Sequence, residues 1–157
     1  MKAEKQGYEQ SAIRICLEQG EMGDVCGSLH TVFRKEKTVF NNAVTLIMEL
    51  EEILEERGFP NATCSRRTFK GLGRRNQKVS EPSLLRSMEQ IKKEYGTVAT
   101  LLLYVTSRNH AGIQGRIVSV GDGTIYEYGS ELEMLAVCEK IIKQTEIENT
   151  QKIVSVR

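Results

Sequence analysis

Ile13-Arg14-Ile15-Cys16-Leu17-Glu18-Gln19 and, 88 residues later, Leu101-Leu102-Leu103-Tyr104-Val105-Thr106-Ser107 open two stretches that can be laid over one another without a gap. The overlay runs from Ile13 to Leu54 on the first copy and from Leu101 to Ile142 on the second. Ile13, Ile15 and Leu17 fall on Leu101, Leu103 and Val105, an apolar alternation that predicts a half-buried strand in each. Gly27, Leu29 and Val32 then fall on Gly115, Ile117 and Val120, which predicts a second strand, and Phe40 falls on Tyr128 in a third. Beyond it, Val44, Leu46, Ile47, Leu50, Ile53 and Leu54 coincide with Leu132, Met134, Leu135, Cys138, Ile141 and Ile142. That spacing of three and four marks an amphipathic helix.

Each unit therefore reads strand, strand, strand, helix. The match lies in patterning more than in identity, since Arg14 meets Leu102 and Glu49 meets Val137. The expected fold is α+β: two tandem units related by an approximate two-fold axis, an antiparallel sheet with helices packed on one face, and an extra helix between the units. The expected organisation is a first unit over 1–58, a basic connector over 59–81, and a helix plus second unit over 82–157, all within one compact domain.

Working outward, the first helix is expected from Asn41 to Arg57, capped by Asn41 or Asn42 and stopped at Gly58 and Pro60. Its exposed face holds Glu49, Glu51, Glu52, Glu55 and Glu56, so cations should lie nearby. The connector is the expected source, because Arg57 to Val79 contains Arg57, Arg66, Arg67, Lys70, Arg74, Arg75 and Lys78 and no acid. Ser80 and Pro82 are expected to open the extra helix, with Leu84, Leu85, Met88, Ile91 and Tyr95 on one face. Gly121-Asp122-Gly123 reads as a hairpin turn, and Ser130 as the cap of a last helix running to about Gln144. The tail beyond it reads as disorder or an edge strand.

Composition fits a soluble globular chain: 157 residues, 39% hydrophobic, 27% charged and a net charge of +1. No apolar run approaches the roughly 20 residues of a membrane span, and Met1 to Gln10 lacks a signal core, so a cytoplasmic location and no membrane partner are expected. Cys16, Cys26, Cys64 and Cys138 lack metal-ligand spacing and read as reduced thiols, with no metal and no cofactor.

Chemistry-bearing patterns are few. The order helix, three strands, helix from Pro82 to Gln144 is shared with double-stranded RNA-binding domains, but the turn before the last helix reads Gly129-Ser130-Glu131-Leu132-Glu133. Carboxylates there would repel a phosphate backbone. Lys70-Gly71-Leu72-Gly73 lacks the glycine spacing of a phosphate-cradling loop. His30 and His110 have no partner at an informative spacing and read as surface or hydrogen-bonded histidines. The binding candidates are Arg66, Arg67, Lys70, Arg74, Arg75 and Lys78 in the connector, and Arg108, Asn109 and His110 in a polar turn between strands.

The run from Leu103 to Ile117, with Arg108-Asn109-His110-Ala111-Gly112-Ile113-Gln114-Gly115 at its centre, resembles a group of small uncharacterised bacterial proteins. Their strands carry an Arg-Gln-Asn-x-x-Trp-Gln-Gly type pattern and a Phe-Pro-x-Ala segment like Phe59-Pro60-Asn61-Ala62. Ile113 stands where the pattern has Trp, and the resemblance implies no activity. The functional expectation is a non-enzymatic protein-binding or adaptor module, with self-association left open. The alternative is nucleic-acid binding through Arg66 to Lys78.

Overall fold

The computed structural model describes residues 12–57, 84–109 and 112–156. They form an α+β fold: a six-stranded antiparallel sheet with three α-helices. The strands are β1 (Ile13–Gln19), β2 (Val25–His30), β3 (Thr38–Phe40), β4 (Ala99–Ser107), β5 (Gln114–Ser119) and β6 (Ile125–Tyr128). The helices are α1 (Ala43–Arg57), α2 (Met88–Lys92) and α3 (Glu131–Ser155), and a short 3-10 turn occupies Glu21–Gly23.

The sheet order is β3-β2-β1-β4-β5-β6, so the two strands that open the overlaid stretches lie side by side at its centre. Ile13 faces Leu103 and Ile15 faces Leu101 across that central ladder. Outward, Leu17 faces Gly27 on one side and Val105 faces Gly115 on the other. Phe40 then lies opposite Gly27, and Tyr128 opposite Gly115. Alternation sends the odd-numbered residues of β1 and β4 to one face, where they are sealed from water by α1 and α3.

That face is the core. Phe40, Ile13, Ile15, Leu17, Leu101, Leu103 and Ile117 are fully enclosed between the sheet and Leu46, Leu50 and Leu54 of α1 and Met134 and Cys138 of α3. Asn42 caps α1, its side-chain oxygen accepting from the Thr45 N–H at 2.8 Å. Ser130 does the same for α3, accepting from the Glu133 N–H. The β5–β6 turn forms at Gly121–Gly123 as expected, with Gly123 at φ +74 and the Asp122 carboxylate accepting from the Thr124 N–H.

Two helix expectations need correction. The helix foreseen from Pro82 to Tyr95 is found only as α2, Met88–Lys92. Ser87 starts it with a reciprocal capping box to Gln90, while the Leu85 and Arg86 N–H groups donate to the Val32 carbonyl and hold the preceding chain extended. Ser80 and Pro82 lie outside the described residues. The tail foreseen as disorder or an edge strand instead continues α3 to Ser155, since nothing from 131 to 155 is Gly or Pro. Among the described residues Arg34 supplies counter-charge to α1, lying 2.9 Å from Glu56, 3.5 Å from Glu49 and 3.9 Å from Glu52, while the connector cations from Arg66 to Lys78 lie outside the described residues.

Candidate functional site

Of the residues singled out for binding, Arg66, Arg67, Lys70, Arg74, Arg75, Lys78 and His110 lie outside the described residues. Arg108 and Asn109 are placed, and both serve the fold. Arg108 reaches Glu55 of α1 at 3.1 Å. Around Asn109, the Gln114 side chain braces the turn: its oxygen accepts from the Asn109 N–H and the Ser107 hydroxyl, each at 2.9 Å, and its amide donates to the Asn109 carbonyl at 3.3 Å. Gln114 thus ties Ser107 and Asn109 to the start of β5.

The concentration of polar chemistry is on the opposite face of the sheet, away from α1 and α3. The even-numbered residues of β1 and β2 point there, and the register sets Arg14 against His30 and Cys16 against Ser28. All four are buried, with His30 only 2% exposed, because the chain from Leu84 to Val98 crosses over them. Arg14 Nε donates to the Glu94 carbonyl at 2.7 Å and Nη2 to the Lys92 carbonyl at 3.3 Å, so its charge satisfies the end of α2. Its guanidinium also lies 4.9 Å from the Tyr95 ring centre.

His30 is gripped at both nitrogens. Arg86 Nη1 is 3.1 Å from Nδ1 and Ser28 Oγ is 2.9 Å from Nε2. A guanidinium has no acceptor, so Nδ1 must be the bare nitrogen, and Nε2 then carries the proton and donates to Ser28. Burial first, then the nearby charges of Arg86, Lys37 and Arg14, push the imidazole below its ordinary value against the opposing pull of Glu94. The ring is neutral at pH 7.

This tautomer decides the chemistry. A serine nucleophile needs an imidazole nitrogen that accepts its proton, whereas Ser28 receives one from His30. Cys16 lies across the ladder from Ser28, and its thiol is raised mainly by burial and so is held protonated. Arg86, His30 and Ser28 form a polar chain on this face of the sheet. No family model, curated protein or solved structure matches this chain.

Beside His30 the same face opens into a groove of about 810 Å³, lined by His30, Lys35, Glu36, Lys37, Val39, Leu85, Arg86, Gln90, Lys93 and Glu94. Its walls come from the turn before β3, from β3 itself and from α2 with its flanks. Arg86 forms the floor, its side chain 11% exposed and 3.4 Å from Glu94, long for a charged pair. Lys35, Lys37 and Lys93 make no ion pair among the described residues.

Sequence reasoning passed over this groove. Its cations are scattered among positions 35, 37, 86 and 93, and no motif joins them. The one available signal was the charged Arg14 and the polar Ser28 and His30 at positions where an exposed sheet face would carry ordinary surface residues. For His30, the hydrogen-bonded reading is the one seen.

Proposed function

We propose that this protein is a non-enzymatic, cytoplasmic protein-binding module that acts as an adaptor. The supporting observation is the concentration of unpaired cationic charge in one groove of a body that is otherwise acidic, with 13 basic and 18 acidic residues among those described. Such segregation steers encounter with a complementary partner and fixes its orientation. Against a catalytic role stands the His30 tautomer, which leaves the nearest hydroxyl and thiol unactivated.

The architecture behind this reading is a duplicated strand-strand-strand-helix unit with an approximate two-fold axis between β1 and β4, closed into one domain. Four ladders support it. The pairs Leu17 with Gly27 and Gly27 with Phe40 recur 88 residues later as Val105 with Gly115 and Gly115 with Tyr128. The buried α1 residues Leu46, Leu50, Ile53 and Leu54 recur as Met134, Cys138, Ile141 and Ile142 of α3. Among the described residues α2 lies over β1 and also beside Leu102 and Tyr104 of β4, and the groove opens between its flanks and the turn before β3.

The test is affinity capture with the full chain, followed by reconstitution of each retained protein with the purified partner by calorimetry. A saturable complex that weakens with salt supports the adaptor reading. Turnover of a small substrate, or no captured protein that rebinds in purified form, overturns it. The second reading, nucleic-acid binding through Arg66 to Lys78, is favoured by the density of basic residues in the connector and the lack of any acid there. It requires labelled RNA or DNA to bind with steep salt dependence and to be lost on Arg74→Glu with Arg75→Glu. No helix among the described residues is long and apolar enough to cross a membrane.

A further inference from the structure

The groove beside His30 has a composition that identifies what it would hold. Its cations arrive from two separated parts of the chain, Lys35 and Lys37 from the turn before β3, and Arg86 and Lys93 from either side of α2. Unlike Arg34, which is answered by Glu49, Glu52 and Glu56, the three lysines have no carboxylate within ion-pair reach among the described residues. Arg86 is largely enclosed, and a long contact to Glu94 is its carboxylate pairing there. A partly buried guanidinium gains from a further anion, because burial weakens the solvent screening that blunts surface pairs.

Between these charges lie Val39 and Leu85, each 55% exposed. Large apolar side chains left in water beside unpaired cations suit a ligand that carries carboxylates and hydrocarbon in close succession. A nucleic acid fits less well. Among the described residues no Phe, Tyr or Trp lines the groove for a base to stack on, and the His30 ring is only 2% exposed. Lysines flanking a three-residue edge strand also discourage another strand from pairing with β3, so recognition falls to side chains rather than to the strand edge.

We infer that this groove binds an extended acidic segment of a partner protein, with carboxylates on Lys35, Lys37, Lys93 and Arg86 and intervening apolar side chains on Val39 and Leu85. The inference rests on the adaptor reading and gives it a site.

The test is a titration of isotope-labelled full-length protein, followed by NMR amide shifts, with three probes: a peptide alternating Glu with Val, its Lys-Val counterpart, and a thymidine oligonucleotide. The expected result is saturable shifts confined to residues 35–39 and 85–94 with the Glu-Val peptide alone, weakened at least tenfold by Lys35→Glu with Lys37→Glu. That double variant alters two exposed lysines, and its unperturbed spectrum elsewhere would certify the fold. Equal shifts with the Lys-Val peptide, no shifts with Glu-Val, or shifts only with the oligonucleotide overturn the proposal. Running the same variant through affinity capture separates the two claims: a partner that still reconstitutes with it sinks the groove and leaves the adaptor reading standing.

Discussion

A methyl group on Gly115 would sit 1.8 Å from the Tyr104 carbonyl oxygen, and one on Gly27 would sit 1.9 Å from that of Cys16. Backbone cannot yield that much without breaking a ladder, so either glycine is obligatory. Gly115→Ala should cost at least about 2 kcal/mol in urea unfolding, near the upper end of single substitutions. An unchanged midpoint would mean that the strands are spaced differently. At His30 the sign of the pH effect follows from its lowered proton affinity. The unfolded chain takes a proton near pH 6.5 and the folded ring resists, so His30's contribution is complete above that pH and declines as pH falls through it. Unfolding titrations on either side of it should show a steeper loss for the parent than for His30→Gln. Nitrogen shifts of the ring should report a bare Nδ1 and a protonated Nε2; the reverse assignment would reopen Ser28 as a nucleophile. Among the thiols, Cys138 is wholly buried and pushed up to about 12 by desolvation, and Cys16 is nearly as enclosed. Of the three described thiols, an exchange reagent should label Cys26 in the native state and reach Cys16 and Cys138 only on unfolding, as mapping of those three peptides would show. Sequence could mark His30 as hydrogen-bonded, but its grip by Arg86 spans 56 residues, and such a convergence exists only once the sheet is folded.

Helix boundaries show what periodicity does and does not encode. Apolar spacing of three and four located α1 and the first half of α3 closely, because those positions, Leu46 to Leu54 and Met134 to Ile142, are the ones that meet the sheet. The pattern stops at Ile142, the last buried residue of the helix, yet α3 continues for more than three further turns to Ser155. Burial writes the pattern; hydrogen bonding alone sustains the rest. Ile147, Val154 and Val156 accordingly stand 56%, 69% and 87% exposed. Hydrogen exchange should therefore find strong protection from Met134 to Ile142 and little beyond Thr145, and uniform protection along α3 would contradict a solvent-exposed end. The reverse holds at α2, where Leu84 and Leu85 mimic a helical face while the Leu85 and Arg86 N–H groups are committed to the Val32 carbonyl. Caps were legible because they act within one turn: removing the Asn42 oxygen by Asn42→Ala should lower stability by about 1 kcal/mol.

For the molecule as a whole, strand content and hairpin order could be read from alternation and turns, whereas the groove could not, since it is made by the crossing of Leu84–Val98 over β1 and β2. The continuous ladder from β3 to β6 also joins the two overlaid stretches through Ile13, Ile15, Leu101 and Leu103. Leu103→Ala should cost about 2–5 kcal/mol, as deletions from a packed core do, and should lower the unfolding midpoint seen by probes on α1 and on α3 together. Separate transitions would mean that the two stretches fold apart. The central position of β1 has a consequence during synthesis. Its apolar strand leaves the ribosome long before β4, its neighbour 88 residues downstream, exists to cover it. At about 5–20 residues per second that interval is on the order of ten seconds, during which Ile13, Ile15 and Leu17 present an unshielded edge. The central ladder of the sheet thus forms only when the second half emerges.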